Sequence, residues 1–111
     1  MKAVMYTRVS SKEQLKEGFS IPAQRALLSR YAKEHGIAVV QEFSDDETAK
    51  TTGRTDFTRM VNYLKKHEKA RVILVEKTDR LHRNLKDYLT LEELDVEIHF
   101  VKEGSVISPT S

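Results

Sequence analysis

The sequence contains no cysteine, and it has only two prolines and four glycines among 111 residues. Without cysteine the chain cannot form a disulfide framework, a thiolate-bound zinc site, an iron–sulfur cluster or a thiol nucleophile. The scarcity of proline and glycine argues against a low-complexity or disordered chain. With 39% hydrophobic and 32% charged residues, a chain of this length is typical of one globular domain with its own core.

Long apolar runs and a secretory leader are also missing from the sequence. The longest apolar stretches, such as residues 72–75, are far too short to cross a bilayer. Residues 1–8 show neither the apolar stretch nor the small-residue cleavage site of a signal peptide. We therefore expect a cytoplasmic protein in a reducing compartment, with no membrane partner.

The formal net charge is +2, but the charges are unevenly placed along the chain. Residues 58–86 carry nine Lys or Arg against three Asp or Glu, and residues 87–103 carry one against six. A basic stretch followed by an acidic one suits a polyanionic partner that meets one face of the domain. A solvated helix with mixed charges gives similar counts, so charge alone leaves both interpretations open.

Strand and helix patterns alternate along the chain. The predicted strands span residues 2–7, 37–43, 71–76 and 96–101, and the predicted helices span 20–35 and begin again at Asp56 and Thr78. Residues 44–54 form a polar connecting loop in this prediction. The alternation predicts a three-layer α/β domain, in which a mostly parallel sheet of four to five strands carries helices on both faces.

Each predicted helix has apolar residues at helical spacing, and the first also has end signals in Ser20 and Gly36. Asp56 is the predicted cap of the second helix. The apolar positions are Ala23, Ala26, Leu27 and Tyr31 in the first helix, Phe57, Met60, Val61 and Leu64 in the second, and Leu81, Leu85, Tyr88, Leu89 and Leu91 in the third.

Polar residues follow three predicted strands, where parallel sheets usually place functional groups. They are Arg8 and Ser10 after the first strand, Asp45 and Asp46 after the second, and Asp79 and Arg80 after the third. We expect the two aspartates after the second strand to start or cap a loop rather than to bind metal. A packed strand residue, Tyr6, is expected near the site.

Ser10 is a candidate nucleophile that needs a base or a strongly positive surrounding. The histidines at 35, 67 and 99 fall at helix ends and in a strand, and we expect them at the surface or an interface. Arg80 and Arg83 are three residues apart at a predicted helix start, so both can project from one face toward a phosphate. The alternative is an exposed charged turn with Asp79 as N-cap, although the proximity of Arg8 to the serine favours phosphate.

Several guanidinium groups around one hydroxyl are suited to phosphoryl transfer. They are permanently charged, bidentate donors that stabilise negative charge on the non-bridging oxygens of a phosphodiester. The same positive field lowers the pKa of a serine hydroxyl. This chemistry needs no metal, and the sequence predicts no cofactor.

Three segments resemble the serine recombinases, the resolvase and invertase group, and in particular the large serine recombinases. Residues 6–11 (Tyr-Thr-Arg-Val-Ser-Ser) with Gln14 resemble the nucleophile motif, and residues 18–21 followed by Gln24 resemble an opening helix. Residues 76–83 (Glu-Lys-Thr-Asp-Arg-Leu-His-Arg) resemble the second signature. Apart from the resemblance, Gln24 has the pattern of an ordinary exposed helix residue.

The resemblance implies a resolvase-like catalytic domain in which Ser10 forms a phosphoserine bond to the 5′ side of cut DNA and releases a 3′ hydroxyl. It implies that neither metal nor ATP is required. Four arginines would bind the phosphate, and two further residues would position the serine and arginines. These are Arg8, Arg54, Arg80 and Arg83 for the phosphate, and Gln14 and Asp79 for positioning.

The resemblance also implies partners and a domain plan. The partners are double-stranded DNA and further copies of the protein, as a dimer and a synaptic tetramer, in a protein encoded by a bacterium, phage or mobile element. Residues 1–103 would form the catalytic domain, and residues 104–111 a tail that leads to a long helix and a DNA-binding region outside this sequence.

Other function classes share parts of this pattern. A catalytically inactive, DNA-associated module would keep the fold without the chemistry, and a serine nuclease or phosphatase would release products to water. A receiver-like signalling domain would need an acidic pocket, whereas arginines dominate here. For His82 we weigh proton transfer to the leaving oxygen against a solvated side chain.

Overall fold

A five-stranded sheet forms the centre of the computed structural model, which describes residues 1–10, 20–47, 55–82 and 84–109. The strands are β1 (Lys2–Val9), β2 (Ala38–Asp46), β3 (Ala70–Val75), β4 (Glu97–Phe100) and β5 (Ser105–Ile107). The helices are α1 (Ile21–Glu34), α2 (Thr55–Lys66), α3 (Thr78–Leu81) and α4 (Leu85–Glu92), with a 3-10 helix at Val101–Glu103. The predicted alternation of strands and helices is confirmed.

The spatial order of the strands is β2-β1-β3-β4-β5, and the first four run parallel. After β2 the chain crosses back over β1 to reach β3, so the order reverses direction at β1. Since parallel crossovers are right-handed, this reversal places α1 and α2 on opposite faces of the sheet. The strand β5 pairs antiparallel with β4 at one edge, in a stretch where the sequence predicted no element.

Two apolar layers enclose the central strands. Alternate residues of β1 point to opposite faces, so Val4 packs with α2 and Met5 packs with α1. The run Val72–Val75 in β3 is buried throughout, as predicted for a strand covered on both faces. No helix within the described residues is long and apolar enough to span a bilayer.

The ends of α1 match the sequence prediction, but its buried face does not. Ser20 caps the helix by accepting from the Ala23 amide at 3.2 Å, and Gly36 follows its end with a φ of 65°. The fully buried side chains are Gln24, Leu28 and Ala32. Of the predicted positions, Tyr31 packs partly buried against the same core, whereas Ala26 is exposed. The helix face that packs on the sheet includes the polar residue Gln24, so the spacing of hydrophobic residues alone did not identify it.

The predicted third helix is wrong, because two helices replace it. The backbone of His82 is extended, with φ −93° and ψ 124°, and it ends α3. Asn84 then starts α4 by accepting from the Asp87 amide at 2.9 Å. Leu85 and Leu89, which a single helix would have placed in the core, are exposed.

The carboxyl end of β2 extends further than predicted. Residues 44–46 continue the strand instead of starting a loop, because they pair in register with residues 7–9 of β1. Asp56 was predicted to cap α2, but it lies within the first turn of that helix. Its carboxylate accepts from the Ser44 amide at 2.9 Å and so joins the helix to the strand.

Candidate active site at the carboxyl edge of the sheet

Four of the predicted site residues, Arg8, Ser10, Asp79 and Arg80, lie where β1 and β3 end side by side. The helix that follows β1 along the chain, α1, covers one face of the sheet, and the residues that follow β3 in α3 and α4 pack on the other face with α2. Such a point, where connections diverge to opposite faces, is where open α/β sheets form their binding crevice. Arg8 lies one residue before the end of β1, and the half-buried Ser10 follows the strand. Asp79 and Arg80 lie in α3 just after β3.

A glutamine from α1 holds the backbone at the end of β1. The Gln24 amide group donates to the Arg8 carbonyl at 2.9 Å and accepts from the Arg8 amide at 3.1 Å. Gln24 is fully buried, so the interpretation of an exposed helix residue is wrong. Apart from the family resemblance, nothing in its local sequence pattern indicates this contact.

The Arg8 side chain joins the two resembling segments directly. Its Nε donates to the Arg80 carbonyl at 3.1 Å, and its Nη2 donates to the Asp79 carbonyl. Its Nη1 lies 3.4 Å from a carboxylate oxygen of Glu47, and the side chain is 12% exposed. The guanidinium therefore binds the α3 backbone on one side and a carboxylate on the other.

Arg80 takes part in a buried ion pair. Its Nε donates to a Glu76 carboxylate oxygen at 2.8 Å, and the two side chains are 1% and 4% exposed. The single helix on which the sequence placed Arg80 and Arg83 ends at Leu81, so that premise is wrong. Arg83 itself lies outside the described residues, and its projection toward a phosphate stays a prediction. The i, i+4 spacing of Glu76 and Arg80 was the available signal for their pairing.

The α3 helix is capped from a distant part of the chain. Its N-cap residue is Lys77, whose side chain has no oxygen that could accept from the first helical amides. A Glu103 carboxylate oxygen accepts instead from the Thr78 amide at 2.9 Å and from the Thr78 hydroxyl at 2.6 Å. The alternative interpretation of Asp79 as N-cap is therefore wrong, and Asp79 is an exposed residue of the first turn.

A buried carboxylate near the end of β2 organises the start of α2. Asp45 accepts from the amides of Asp56 and Phe57 at 3.0 and 2.9 Å, and from the Tyr6 hydroxyl at 2.6 Å. The predicted capping role of Asp45 is confirmed, and Tyr6 is the expected packed strand residue. Among the described residues, no three His, Asp or Glu side chains are grouped so as to hold a metal ion.

Three predicted site residues, Gln14, Arg54 and Arg83, lie outside the described residues. His82 is half-buried, with its ring 5.6 Å from the Tyr88 ring and 6.0 Å from the Phe100 ring. His82 is therefore only partly solvated, because two aromatic rings lie against it. Nearby on α4, the hydrogen bond that the Tyr88 hydroxyl donates to the Glu92 carboxylate, together with the negative charge of Glu92, raises the pKa of Tyr88.

His99 was expected at the surface or an interface, but it is buried on the α1 face of the sheet. Its Nδ1 lies 2.7 Å from the Tyr31 hydroxyl, and its Nε2 lies 2.7 Å from a Glu97 carboxylate oxygen. This chain of polar contacts ties α1 to β4. It lies on the face opposite α2 and takes no part in the contacts that join Arg8 to α3.

Three solved structures that are similar to this chain come from an integrase and two recombinases. The N-terminal catalytic domain of TP901-1 integrase is 28% identical, with a TM-score of 0.79 over 96% of this chain and 82% of its own. A resolvase family site-specific recombinase from Streptococcus pneumoniae is also 28% identical, with a TM-score of 0.80 over 96% and 75%. The C-terminal catalytic domain of ISC1926 TnpA, an IS607-like serine recombinase, is 30% identical, with a TM-score of 0.73 over 92% and 70%.

A family model agrees with the structural similarity. No curated protein matches the chain by sequence. The model of the resolvase N-terminal domain, however, matches residues 3–111, which is nearly the whole chain. The chain therefore belongs to the resolvase N-terminal domain family and has the fold of a serine recombinase catalytic domain.

Proposed function

We propose that this domain cuts and rejoins double-stranded DNA, with Ser10 as the nucleophile. The observation that supports this most strongly is the contact of the Arg8 guanidinium with the carbonyls of Asp79 and Arg80. That contact brings the two family-like segments together beside Ser10, at the edge where parallel sheets bind ligands. The membership of the family supplies the reaction class.

The proposed reaction exchanges one phosphodiester for another. The Ser10 oxygen attacks the scissile phosphorus, the Oγ–P bond forms, and the bond from phosphorus to the 3′ oxygen breaks. The serine loses its proton, and the leaving 3′ oxygen gains one. Rejoining runs the same steps backward with a new 3′ hydroxyl, so the reaction needs no ATP and no metal.

The arginines are proposed to stabilise the charge that builds on the non-bridging oxygens. Arg8 and Arg80 are the two within the described residues, and the family resemblance adds Arg54 and Arg83. Gln14 and Asp79 would position the serine and arginines. Because Arg80 is 1% exposed and Arg8 faces Glu47, we propose that the site rearranges when a phosphate enters.

The wider assembly is part of the same proposal. We propose that residues 1–103, together with the edge strand β5 that completes the sheet, act as the catalytic domain, and that the chain after β5 leads toward a dimerising helix and a DNA-binding region. The active species would be a dimer that pairs into a synaptic tetramer. A protein with this activity would belong to a bacterial, phage or other mobile element.

A covalent-capture experiment tests the proposal and requires no defined target site. The intact protein is incubated with a pool of random-sequence duplexes, and DNA that stays attached through denaturing electrophoresis is recovered and sequenced. We expect a selected duplex to be recovered, and we expect mass spectrometry of the protein to identify Ser10 as the residue bonded to its 5′ end. Ser10→Ala should abolish the attached band, whereas Ser105→Ala, at an exposed serine of β5, should retain it.

The alternatives predict different outcomes of this experiment. An inactive module would give no attached DNA with the wild-type protein, and that result would contradict the proposal. A hydrolase would convert the attached DNA to free 5′ phosphate ends instead of rejoined duplex. An attached band that survives Ser10→Ala would show that another residue is the nucleophile.

A further inference from the structure

Glu76 and Arg80 form a buried ion pair that the packing of the core does not explain. Glu76 directly follows β3, and its carboxylate accepts from the Arg80 Nε at 2.8 Å. The side chains are 4% and 1% exposed, so both charges are removed from water. Replacing a buried ion pair by apolar residues of similar volume is often neutral or stabilising, so stability alone does not account for this pair.

The geometry of the pair fixes the direction of a guanidinium. The group is rigid and planar, so a hydrogen bond at Nε sets the plane in which both Nη atoms lie. The four residues of α3 are too few to stabilise a helix by themselves. The orientation of Arg80 must therefore be set by groups outside its own helix.

Glu76 is well placed to supply that orientation. It is 3% exposed and continues directly from β3, a central strand that pairs with β1 and β4. Its own carbonyl accepts from the Lys102 amide at 2.8 Å, which holds its backbone on a second side. Its carboxylate is consequently a fixed reference point beside this short helix.

We infer that Glu76 is a positioning residue that orients the Arg80 guanidinium for the scissile phosphate. The inference rests on the proposed function and deepens it. Glu76 does not touch DNA in this scheme, and it acts through Arg80. A change at Glu76 should therefore alter the rate of strand cleavage more than the affinity for DNA.

The test is the single-turnover rate of covalent complex formation by the intact protein on the duplex selected by covalent capture. Glu76→Gln keeps the volume and an acceptor oxygen but removes the charge. We expect the maximal rate to fall about tenfold, since the ion pair becomes a weaker hydrogen bond from the Arg80 cation to a neutral amide oxygen. Glu76→Ala, which removes the acceptor, should lower it about 100-fold through misplacement of the guanidinium. The half-saturating DNA concentration should stay the same with Glu76→Gln.

A second background separates positioning from simple structural support. A lysine ammonium has no plane to orient, so in an Arg80→Lys background Glu76→Gln should change the rate less than about twofold. A purely structural role would lower the melting temperature and would reduce the rate by the same factor in both backgrounds. Glu42→Gln is the matched control. That exposed carboxylate pairs with Arg25 at a distance of 3.5 Å, and neither residue belongs to the candidate site.

Two results would overturn the inference. One is a folded Glu76→Gln protein with the wild-type rate, and the other is an equal rate loss from Glu76→Gln in the wild-type and Arg80→Lys backgrounds. If Glu76→Ala fails to fold, the Glu76→Gln protein and the protein that combines Glu76→Gln with Arg80→Lys still test the inference. Failure of the proposed function would look different, because the wild-type protein would then capture no DNA or Ser10→Ala would still capture it.

Discussion

Arg71 lies at the amino edge of the sheet, where the parallel strands begin, and Arg8 lies at the carboxyl edge, where they end. Both arginines donate to backbone carbonyls. Arg71, near the start of β3, donates to the carbonyls of Leu94 at 2.8 Å, His67 at 3.1 Å and Leu64. It thereby ties the end of α2 to the turn after α4. Arg8, at the end of β1, binds the α3 backbone in the same manner.

The surroundings of the two arginines differ. At the amino edge, Lys65, Lys66 and Lys69 stand exposed around the end of α2. At the carboxyl edge, the carboxylates of Asp45 and Glu76 are buried. A buried charge is retained only with partners, and both carboxylates have them beside the residues of the candidate site. We therefore expect changes at the amino edge to lower stability and changes at the carboxyl edge to lower the rate of DNA cleavage.

The largest expected effect at the carboxyl edge is that of Arg80→Lys. Lysine keeps the positive charge but loses the planar, bidentate donor. We expect the single-turnover cleavage rate to fall about 100- to 1000-fold, as for loss of one preorganised donor in a transition state. Binding of the intact protein to the selected duplex, measured by mobility shift, should persist. Equal cleavage rates for the two proteins would argue against a bidentate phosphate contact there.

The converse effect is expected at the amino edge. Arg71→Met keeps the aliphatic stem but removes the donors to three carbonyls. We expect the free energy of unfolding to fall by about 2 to 3 kcal/mol, because partly buried carbonyls lose charged donors. Urea denaturation measures this loss, and the cleavage rate of the folded variant should equal that of wild type. A fully folded Arg71→Met protein with a reduced cleavage rate would contradict this expectation, because the amino edge would then also affect catalysis.

The parts of the fold that carry their own periodicity could be predicted from the sequence. The four buried side chains of α2 recur at helical spacing, and the apolar run of β3 identifies a covered strand. The break at His82 was missed because leucines continue through it at helical spacing. Asn84 followed by Asp87 was the signal for a new helix start.

The site was predictable in location but not in its contacts. The rule for parallel sheets brought Arg8 and Arg80 to one edge, and the structure agrees. The hydrogen bonds of Gln24 to Arg8 and of Glu103 to Thr78 join residues 16 and 25 positions apart. Such contacts depend on the packing of whole elements, and local spacing in the sequence does not display them.

Gln24 offers a test within the carboxyl edge that combines both kinds of effect. Gln24→Leu removes one donor and one acceptor from the Arg8 backbone at a fully buried position. We expect about 1 kcal/mol of lost stability and a roughly tenfold slower cleavage, because the backbone of Arg8 and the following Ser10 loses its anchor. Denaturation and single-turnover kinetics on one preparation measure both. A stability loss without a slower rate would make Gln24 a purely structural residue.

The smallest expected effect concerns the carboxylate that faces Arg8. Glu47 lies 3.4 Å from the Arg8 Nη1, so a DNA phosphate entering the site must compete with it. Glu47→Gln should therefore tighten binding of the selected duplex about two- to fivefold, which is the range of a weakly screened surface ion pair. The gain should shrink as salt rises, since both contacts are screened. Glu42→Gln, at the exposed pair with Arg25, should give no such gain. Equal gains from both variants would mean that added net positive charge, and not release of Arg8, improves binding.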